Sequence, residues 1–405
     1  MPLWARRTAM KRKPLDGIKV VELGQLIAGP FAGKFFAEFG AEVIKIEPPE
    51  GDPLRKWRKL YQGTSLWWYV QNRNKKSVTA NLRLPEGREV VRRIAANADV
   101  VIENFRPGTL EKWSLGYDEL AARNPGLVML RLSGFGQSGP YRDQAGFGAI
   151  GESMGGLRYV TGFPDRPPVR PNLSIGDALA SLHGVIGALM ALHHRVANGG
   201  KGQIVDVALY EAVFNMMEGA LPEYDMFKEP RERTGSNLTG IVPSNTYLTH
   251  DGQHVVIGAN ADSIFKRLMN IIGRGDLADD PALADNAGRA KRADELDAAI
   301  AAWTGERGTE EILRILNEAQ VPNGKIYSMA DIASDAQYLA RDMIRQVRLG
   351  DGTPLKVPGI VPKLSDTPGD IDWVGPALGE HTAQVLAAHG YGKAEIAGLR
   401  ERKAI

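Results

Sequence analysis

The chain has 405 residues, enough for two or three domains at roughly 100–200 residues each. Charged residues make up 24% and hydrophobic residues 43%, which excludes a disordered chain and a collagen. Lys plus Arg number 50 against 48 Asp plus Glu, a formal net charge of +2, so nothing draws the whole molecule to nucleic acid or an anionic membrane. Any anion must be held by a local group of cations. Cysteine is absent, which removes a disulfide framework, a thiolate metal site, an iron–sulfur cluster and a cysteine nucleophile together.

The start, Met1 to Lys13, carries Arg6, Arg7, Lys11, Arg12 and Lys13 without an acid. It lacks the apolar run of a secretory signal and is short for a mitochondrial presequence, so a frayed basic start and a cytoplasmic location are expected. No run reaches the roughly 18 consecutive apolar residues of a membrane span.

The first 200 positions alternate two patterns. Ile18–Leu23 is a β-branched run closed by Gly24, Gly29 and Pro30, and Phe31–Phe39 follows with helical spacing. Ala41–Ile46 reads as a second strand and Ser77–Leu82 as a third. A helix is expected over Pro85–Ala95, where proline at the first position sacrifices no hydrogen bond. Asp99–Glu103 and Leu127–Leu132 are further strands. Strands alternating with helices predict parallel βαβ units, an α/β architecture of nucleotide-binding type. Gly24-Gln-Leu-Ile-Ala-Gly29-Pro30 lies between strand and helix, where a phosphate could dock or a tight turn suffice. It is neither GxGxxG nor a P-loop.

Asp177 to Val196 predicts a helix apolar on nearly all sides, expected to be buried. Gln203–Leu209 returns as a strand. The pattern turns irregular and polar over Pro222–Gly240, the expected domain boundary. Beyond it come strands Asn245–Thr249 and His254–Gly258 joined at Asp251-Gly252, then helices Ile264–Ile272, Arg292–Trp303 and Thr309–Ala319. Val357–Pro362 and a last helix near Thr382–His389 end the pattern.

The histidines are not at metal-ligand spacing: His250 and His254 are separated by a turn, and HExxH is missing, so no metal is expected. Gly151-Glu-Ser-Met-Gly155 matches Gly-x-Ser-x-Gly formally, but no clear strand precedes it, so the nucleophile-elbow context fails. Asp177 begins the long apolar helix. A carboxylate there can be a simple cap. The same helix start favours an ionised carboxylate, and Gly176 leaves room for a substrate, so Asp177 is also a candidate covalent nucleophile.

The sequence resembles the class III CoA-transferases, the family of formyl-CoA transferase and carnitine CoA-transferase. The resemblance rests on Leu15–Leu23, Ala28-Gly-Pro30, Phe39–Glu47, Asn72-Arg-Asn-Lys-Lys-Ser77, Glu103-Asn-Phe-Arg-Pro-Gly108, Ser133–Pro140, Gly176-Asp177, Gly200-Lys-Gly-Gln203 and Leu378-Gly-Glu-His-Thr382. Single motifs are weak; together, in family order from one end to the other, they are specific. The resemblance implies an interlocked homodimer of α/β subunits. Each has a Rossmann-like large domain built from both chain ends, 1–225 and 329–405, and a small α+β domain over 226–328. It implies transfer of CoA from an acyl-CoA donor to a free carboxylic acid, with Asp177 carrying anhydride and thioester intermediates. Its CoA contacts fall on Ala28, on Ala80, Asn81, Leu82 and Arg83, on Asn104, Phe105 and Arg106, on Lys112, and on Ala145, Gly146, Phe147 and Gly148. Its substrate loop falls on Gly258, Ala259 and Asn260.

The departures from formyl-CoA transferase are Ile27, Pro48 and Gly258-Ala-Asn-Ala-Asp262, which replaces a run of glycines. Gly240-Ile-Val-Pro243 and Gly258-Ala259 with Phe265 resemble the succinyl-CoA-dependent dicarboxylate transferases, so a small dicarboxylate acceptor and succinyl-CoA as donor are expected. α-Methylacyl-CoA racemase is the rival of the same fold. Its acid–base residues correspond to Phe147 and Ala261, and neither can carry a proton. A CoA-binding protein without turnover and an acyl-CoA hydrolase are the remaining alternatives.

Overall fold

The computed structural model describes residues 12–405; most of the basic start lies outside the described residues. The chain divides into two compact units. The first takes the chain up to Leu157, then Pro171–Glu218 and Ala340–Ile405; the second takes Arg158–Arg170 and Gly219–Leu339.

The first unit is built on six parallel strands: β1 (Lys19–Glu22), β2 (Glu42–Glu47), β3 (Lys75–Thr79), β4 (Val100–Glu103), β5 (Val128–Ser133) and β6 (Ile204–Ala208). Their order is β3-β2-β1-β4-β5-β6. That is the doubly wound order of dinucleotide-binding folds, which reverses direction between β1 and β4. The strands are short and rich in Val, Ile and Leu because both faces are covered. Alternate residues feed opposite layers. Val21, Ile44, Val101 and Met129 enter one core, and Val20, Val43, Val100, Ile102, Val128 and Leu130 the other.

Helix α1 (Ala28–Glu38) and the long helix Ile175–Ala197 cover the second face, and α2 (Pro85–Ala95) covers the first. Between α2 and α4 lies α3 (Gly148–Met154); α4 spans Ile175–Ala197, and α5 (Leu209–Phe214) follows β6. The C-terminal helices Thr382–Ala388 and Lys393–Glu401 complete the first core through Val385, Leu386, Ile396 and Leu399.

Strand β3 begins two residues before the expected Ser77 and ends at Thr79, not Leu82. Lys75 and Lys76 look like loop residues, yet Lys75 is fully buried in the strand because Glu22, the Pro30 carbonyl and the Asn72 side-chain oxygen receive its ammonium. The larger correction concerns α4. It is long and apolar enough to cross a membrane by length and composition alone, but it packs on the sheet through Ala180, Gly184, Ala188 and Leu192. Its other side leaves Ile186 52%, Met190 66% and Val196 84% exposed, against the expectation of burial all round. Mostly small residues, with Leu192, face the sheet, and Ile186, Met190 and Val196 point away from it.

The second unit has an antiparallel sheet, β7 (Ser244–Leu248), β8 (His254–Gly258) and β9 (Asn323–Lys325), in the order β9-β8-β7. Gly252, at φ +74°, makes the turn between β7 and β8. The Asp251 carboxylate accepts hydrogen bonds from Thr249 and from the backbone and hydroxyl of Thr309, tying that turn to the start of the helix Thr309–Glu318. Helices α6 (Asp262–Ile271), α7 (Ala293–Gly305) and α8 (Thr309–Glu318) surround a core of Val255, Ile257, Phe265, Leu268, Ile300 and Ile312.

Candidate active site

In doubly wound sheets ligands bind beyond the carboxyl ends of the strands where the order reverses. Here that point lies past Glu22 and Glu103. The Gly24–Ile27 loop leaves β1, and the Asn104–Gly108 loop leaves β4. Gly24 and Gly29 approach so closely that a Cβ on either would stand 2.8 Å from the other's Cα. The Asn104 side chain locks this loop in both directions: its Oδ1 accepts from Gln25 N at 2.8 Å, and its Nδ2 donates to Gln25 O at 2.9 Å. Asn104 is therefore a clamp on the loop. Ala28 opens α1 with its side chain buried, and its carbonyl accepts from Ser181 Oγ at 2.7 Å. The same hydroxyl also donates to Asp177 O, so Ser181 ties the start of α1 to the first turn of α4.

Asp177 is the third residue of α4, with Ser174 at the cap position. It sits in the first turn, where unpaired N–H groups favour negative charge. Its carboxylate lies against Gly148: a Cβ there would stand only 2.8 Å from Asp177 Cγ. A Cβ at Gly176 would come within 2.9 Å of Gly148 O. Two glycines thus bring the turn before α3 up against the carboxylate. Beside them the fully buried Glu152 accepts from Gly176 N at 3.4 Å. Phe147, at the head of α3, is 72% exposed. Ser153 lies within α3 and donates to Ala149 O, away from any strand-to-helix elbow.

The remaining predicted contacts separate by chemistry. Ala80 is buried, Leu82 packs on the core, and Asn81 pairs with the chain's end through Ala404 O at 2.8 Å. Phe105 is half-buried, edge-on to Trp113 at 5.5 Å, and packs on the core. Arg83, Arg106 and Lys112 are exposed cations with no ion pair among the described residues. Ala145 is exposed, and Gly146 passes so near Gly134 that a Cβ on Gly134 would sit 2.9 Å from Gly146 Cα. In the second unit Gly258 faces open space, Ala259 is wholly buried and Asn260 is exposed.

Sequence reasoning passed over the groups that hold the β1 loop. Lys45 Nζ donates to Gly24 O at 2.7 Å and pairs with Glu22 at 3.0 Å and Asp52 at 2.9 Å. Asp52 accepts from Leu26 N at 3.1 Å, holding Leu26 at φ +62°, a conformation leucine rarely takes. Lys75 donates to Pro30 O at 2.7 Å and pairs with Glu22 at 2.7 Å. Burial would lower the Lys45 ammonium, but Asp52, Glu22 and Glu47 outweigh it and hold it raised. Burial would raise the Asp52 carboxyl; Lys45 outweighs it and keeps Asp52 below the usual range. Lys75 goes the other way, pushed down to about 8 by burial despite Glu22. Charged residues inside a strand pattern were the available signal. Arg142 was also passed over; its Nη2 comes within 3.8 Å of where a Cβ on Gly108 would stand, adding a cation beside the β4 loop.

The fold and these loops define a doubly wound α/β protein with a carboxylate at a helix start and exposed cations, Arg83, Arg106 and Lys112, on the same unit. The model of CoA-transferase family III matches residues 15–382. The chain is 50% identical over 396 residues to the succinyl-CoA–D-citramalate CoA-transferase of Chloroflexus aurantiacus, covering 97% of this chain and 98% of that one. It is 36% identical over 387 residues to the succinate–glutarate CoA-transferase of Agrobacterium fabrum, covering 93% and 96%. A solved CAIB/BAIF family protein from Brucella suis superposes with a TM-score of 0.82 at 36% identity, covering 94% of this chain and 100% of that one. The chain belongs to CoA-transferase family III and is a CoA-transferase, acting on CoA thioesters.

Proposed function

We propose that this enzyme moves CoA from succinyl-CoA to a small dicarboxylic acid, with Asp177 as the covalent nucleophile. The observation that carries the reading is the Asp177 carboxylate in the first turn of α4, lying directly against the glycine backbone at Gly148. An ionised oxygen of Asp177 attacks the donor's acyl carbon, and the C–S bond breaks to give a mixed anhydride and CoA thiolate. The thiolate attacks the Asp177 carbonyl carbon, releasing succinate and leaving an aspartyl-CoA thioester. The acceptor carboxylate attacks that carbon and expels the thiolate. The thiolate then attacks the acceptor's acyl carbon in the new anhydride, forming the product and restoring Asp177. Each intermediate is sensitive to water, which the site must exclude.

Arg83, Arg106 and Lys112 are the groups that would receive the CoA phosphates, since exposed cations without an ion pair among the described residues remain available for charge-assisted hydrogen bonds. The named relatives support succinyl-CoA as donor and citramalate-, malate- or glutarate-sized acids as acceptors. The exposed apolar side of α4 supports a homodimer, in which a second chain covers Ile186, Met190 and Val196. The interlocked form follows from the resemblance.

The test is to incubate the protein with succinyl-CoA and a panel of mono- and dicarboxylic acids and to identify products by mass spectrometry. The expected result is a new acyl-CoA that forms only when one class of small dicarboxylate is present. Loss of succinyl-CoA at the same rate with and without acid would show hydrolysis and overturn the reading.

A further inference from the structure

The second unit contains a fully buried arginine that no motif announced. Arg289 lies on the short helix Asn286–Lys291, and its guanidinium reaches every segment around it. Nε donates to Val242 O at 3.1 Å, and Nη1 to Leu283 O at 3.1 Å and Ala284 O at 3.3 Å. Nη2 donates to Asn260 O at 2.6 Å and to Asp262 Oδ1 at 2.7 Å. The guanidinium also stands 5.0 Å from the Phe265 ring.

One turn earlier on the same helix, Asn286 completes the arrangement. Its amide donates to Gly240 O at 2.5 Å and accepts from Val242 N at 3.0 Å. Ala259 N donates to Pro243 O at 2.8 Å, closing the two segments on each other. A single helix face therefore holds both Gly240–Pro243 and Gly258–Asp262, the stretches in which this sequence departs toward dicarboxylate transferases.

We infer that Arg289 is a positioning residue that fixes the Gly258–Asp262 loop and so determines which acid the enzyme accepts. The inference rests on the reading of that loop as the substrate loop. Arg289 turns the Asn260 carbonyl inward while Asn260 itself stays exposed, and Gly258 beside it faces open space. A run of glycines would let the loop take many shapes. Ala259, Asn260 and Ala261 narrow that freedom, and the guanidinium selects one shape. Lysine cannot substitute, because a single ammonium cannot span Val242, Leu283 and Asn260 as the planar fork does.

The experiment compares full-length wild-type enzyme with Arg289→Lys, Asp262→Asn and Asn260→Ala. It measures thermal unfolding, KM for succinyl-CoA, KM for the acid, and the kcat/KM ratio for two dicarboxylates of different length. With charge-assisted hydrogen bonds lost, Arg289→Lys is expected to raise KM for the acid at least about tenfold, to flatten the ratio, and to leave KM for succinyl-CoA within about twofold. Asp262→Asn should shift the ratio in the same direction by less. A folded Arg289→Lys enzyme with the wild-type ratio would overturn the inference. Should Arg289→Lys fail to fold, an unchanged ratio in Asp262→Asn overturns it instead. An unchanged ratio in Asn260→Ala would remove the reading of the loop, and the inference with it.

Discussion

Lys75 carries a pH signature that can be tested directly. Its ammonium sits within β3, bonded to Pro30 O, Asn72 Oδ1 and Glu22, and burial pushes it down to about 8 from an ordinary 10.5. Below pH 8 it is charged in both the folded and the unfolded chain, and the burial cost is fully present. Between pH 8 and 10.5 the folded chain has released the proton while the unfolded chain still holds it, so stability from this group rises with pH. Denaturant unfolding across that range should show a wild-type slope exceeding that of Lys75→Met by up to about 1.4 kcal/mol per pH unit. Parallel profiles for the two proteins would contradict this. Lys75 also shows where sequence reading stops at this scale. The helical start around Asp177 and the breakers at Gly24 and Gly29 were legible, because local backbone chemistry dictates them. The partners of Lys45, Asp52 and Arg289 come from distant strands and helices, and no spacing along the chain encodes those meetings.

Among elements, β1, β2, β4 and β5 were readable because their apolar runs are bounded by Gly, Pro or Asp, and α2 because Pro85 opens a stretch with helical spacing of Val90, Val91 and Ile94. Helix α2 matches its expected Pro85–Ala95 bounds. Helix α4 was readable in extent and misread in setting. Hydrophobicity on all sides signals contact on all sides, but it does not say whether the same chain supplies each contact. The Asn323–Lys325 strand, Asn-Gly-Lys, has no apolar signature; it exists because β8 offers an open edge. The hairpin Ile344–Arg348 with Pro354–Pro358 alternates charged and apolar residues too weakly to stand out. The C-terminal helix Lys393–Glu401 is polar apart from Ile396 and Leu399, the two side chains it buries. Within the candidate site, Phe105 stands edge-on to Trp113 and packs on the core while remaining half-buried, a setting that position along the chain does not announce.

For the whole molecule, the return of Ala340–Ile405 to the first unit means that neither end of the chain makes that unit alone. Thr79 and Ser77 of β3 bond to Thr382 and His381, and Asn81 to Ala404. The apolar side of α4 belongs to this scale too. Exposed Ile186, Met190 and Val196 in water would be an aggregation liability, which the proposed homodimer would remove. In the proposed homodimer, Ile186→Asp with Met190→Glu is expected to lower the yield of dimer formed on refolding at micromolar concentration, read by sedimentation velocity; a wild-type yield of dimer would place the interface elsewhere. The central claim concerns Asp177, and trapping tests it most directly. The enzyme is mixed with succinyl-CoA, quenched with hydroxylamine and mapped by peptide mass spectrometry. The account predicts a hydroxamate on Asp177 that requires acyl-CoA and disappears in a folded, inactive Asp177→Ala enzyme. Unmodified Asp177 during turnover, or near-normal transfer by Asp177→Ala, would contradict it.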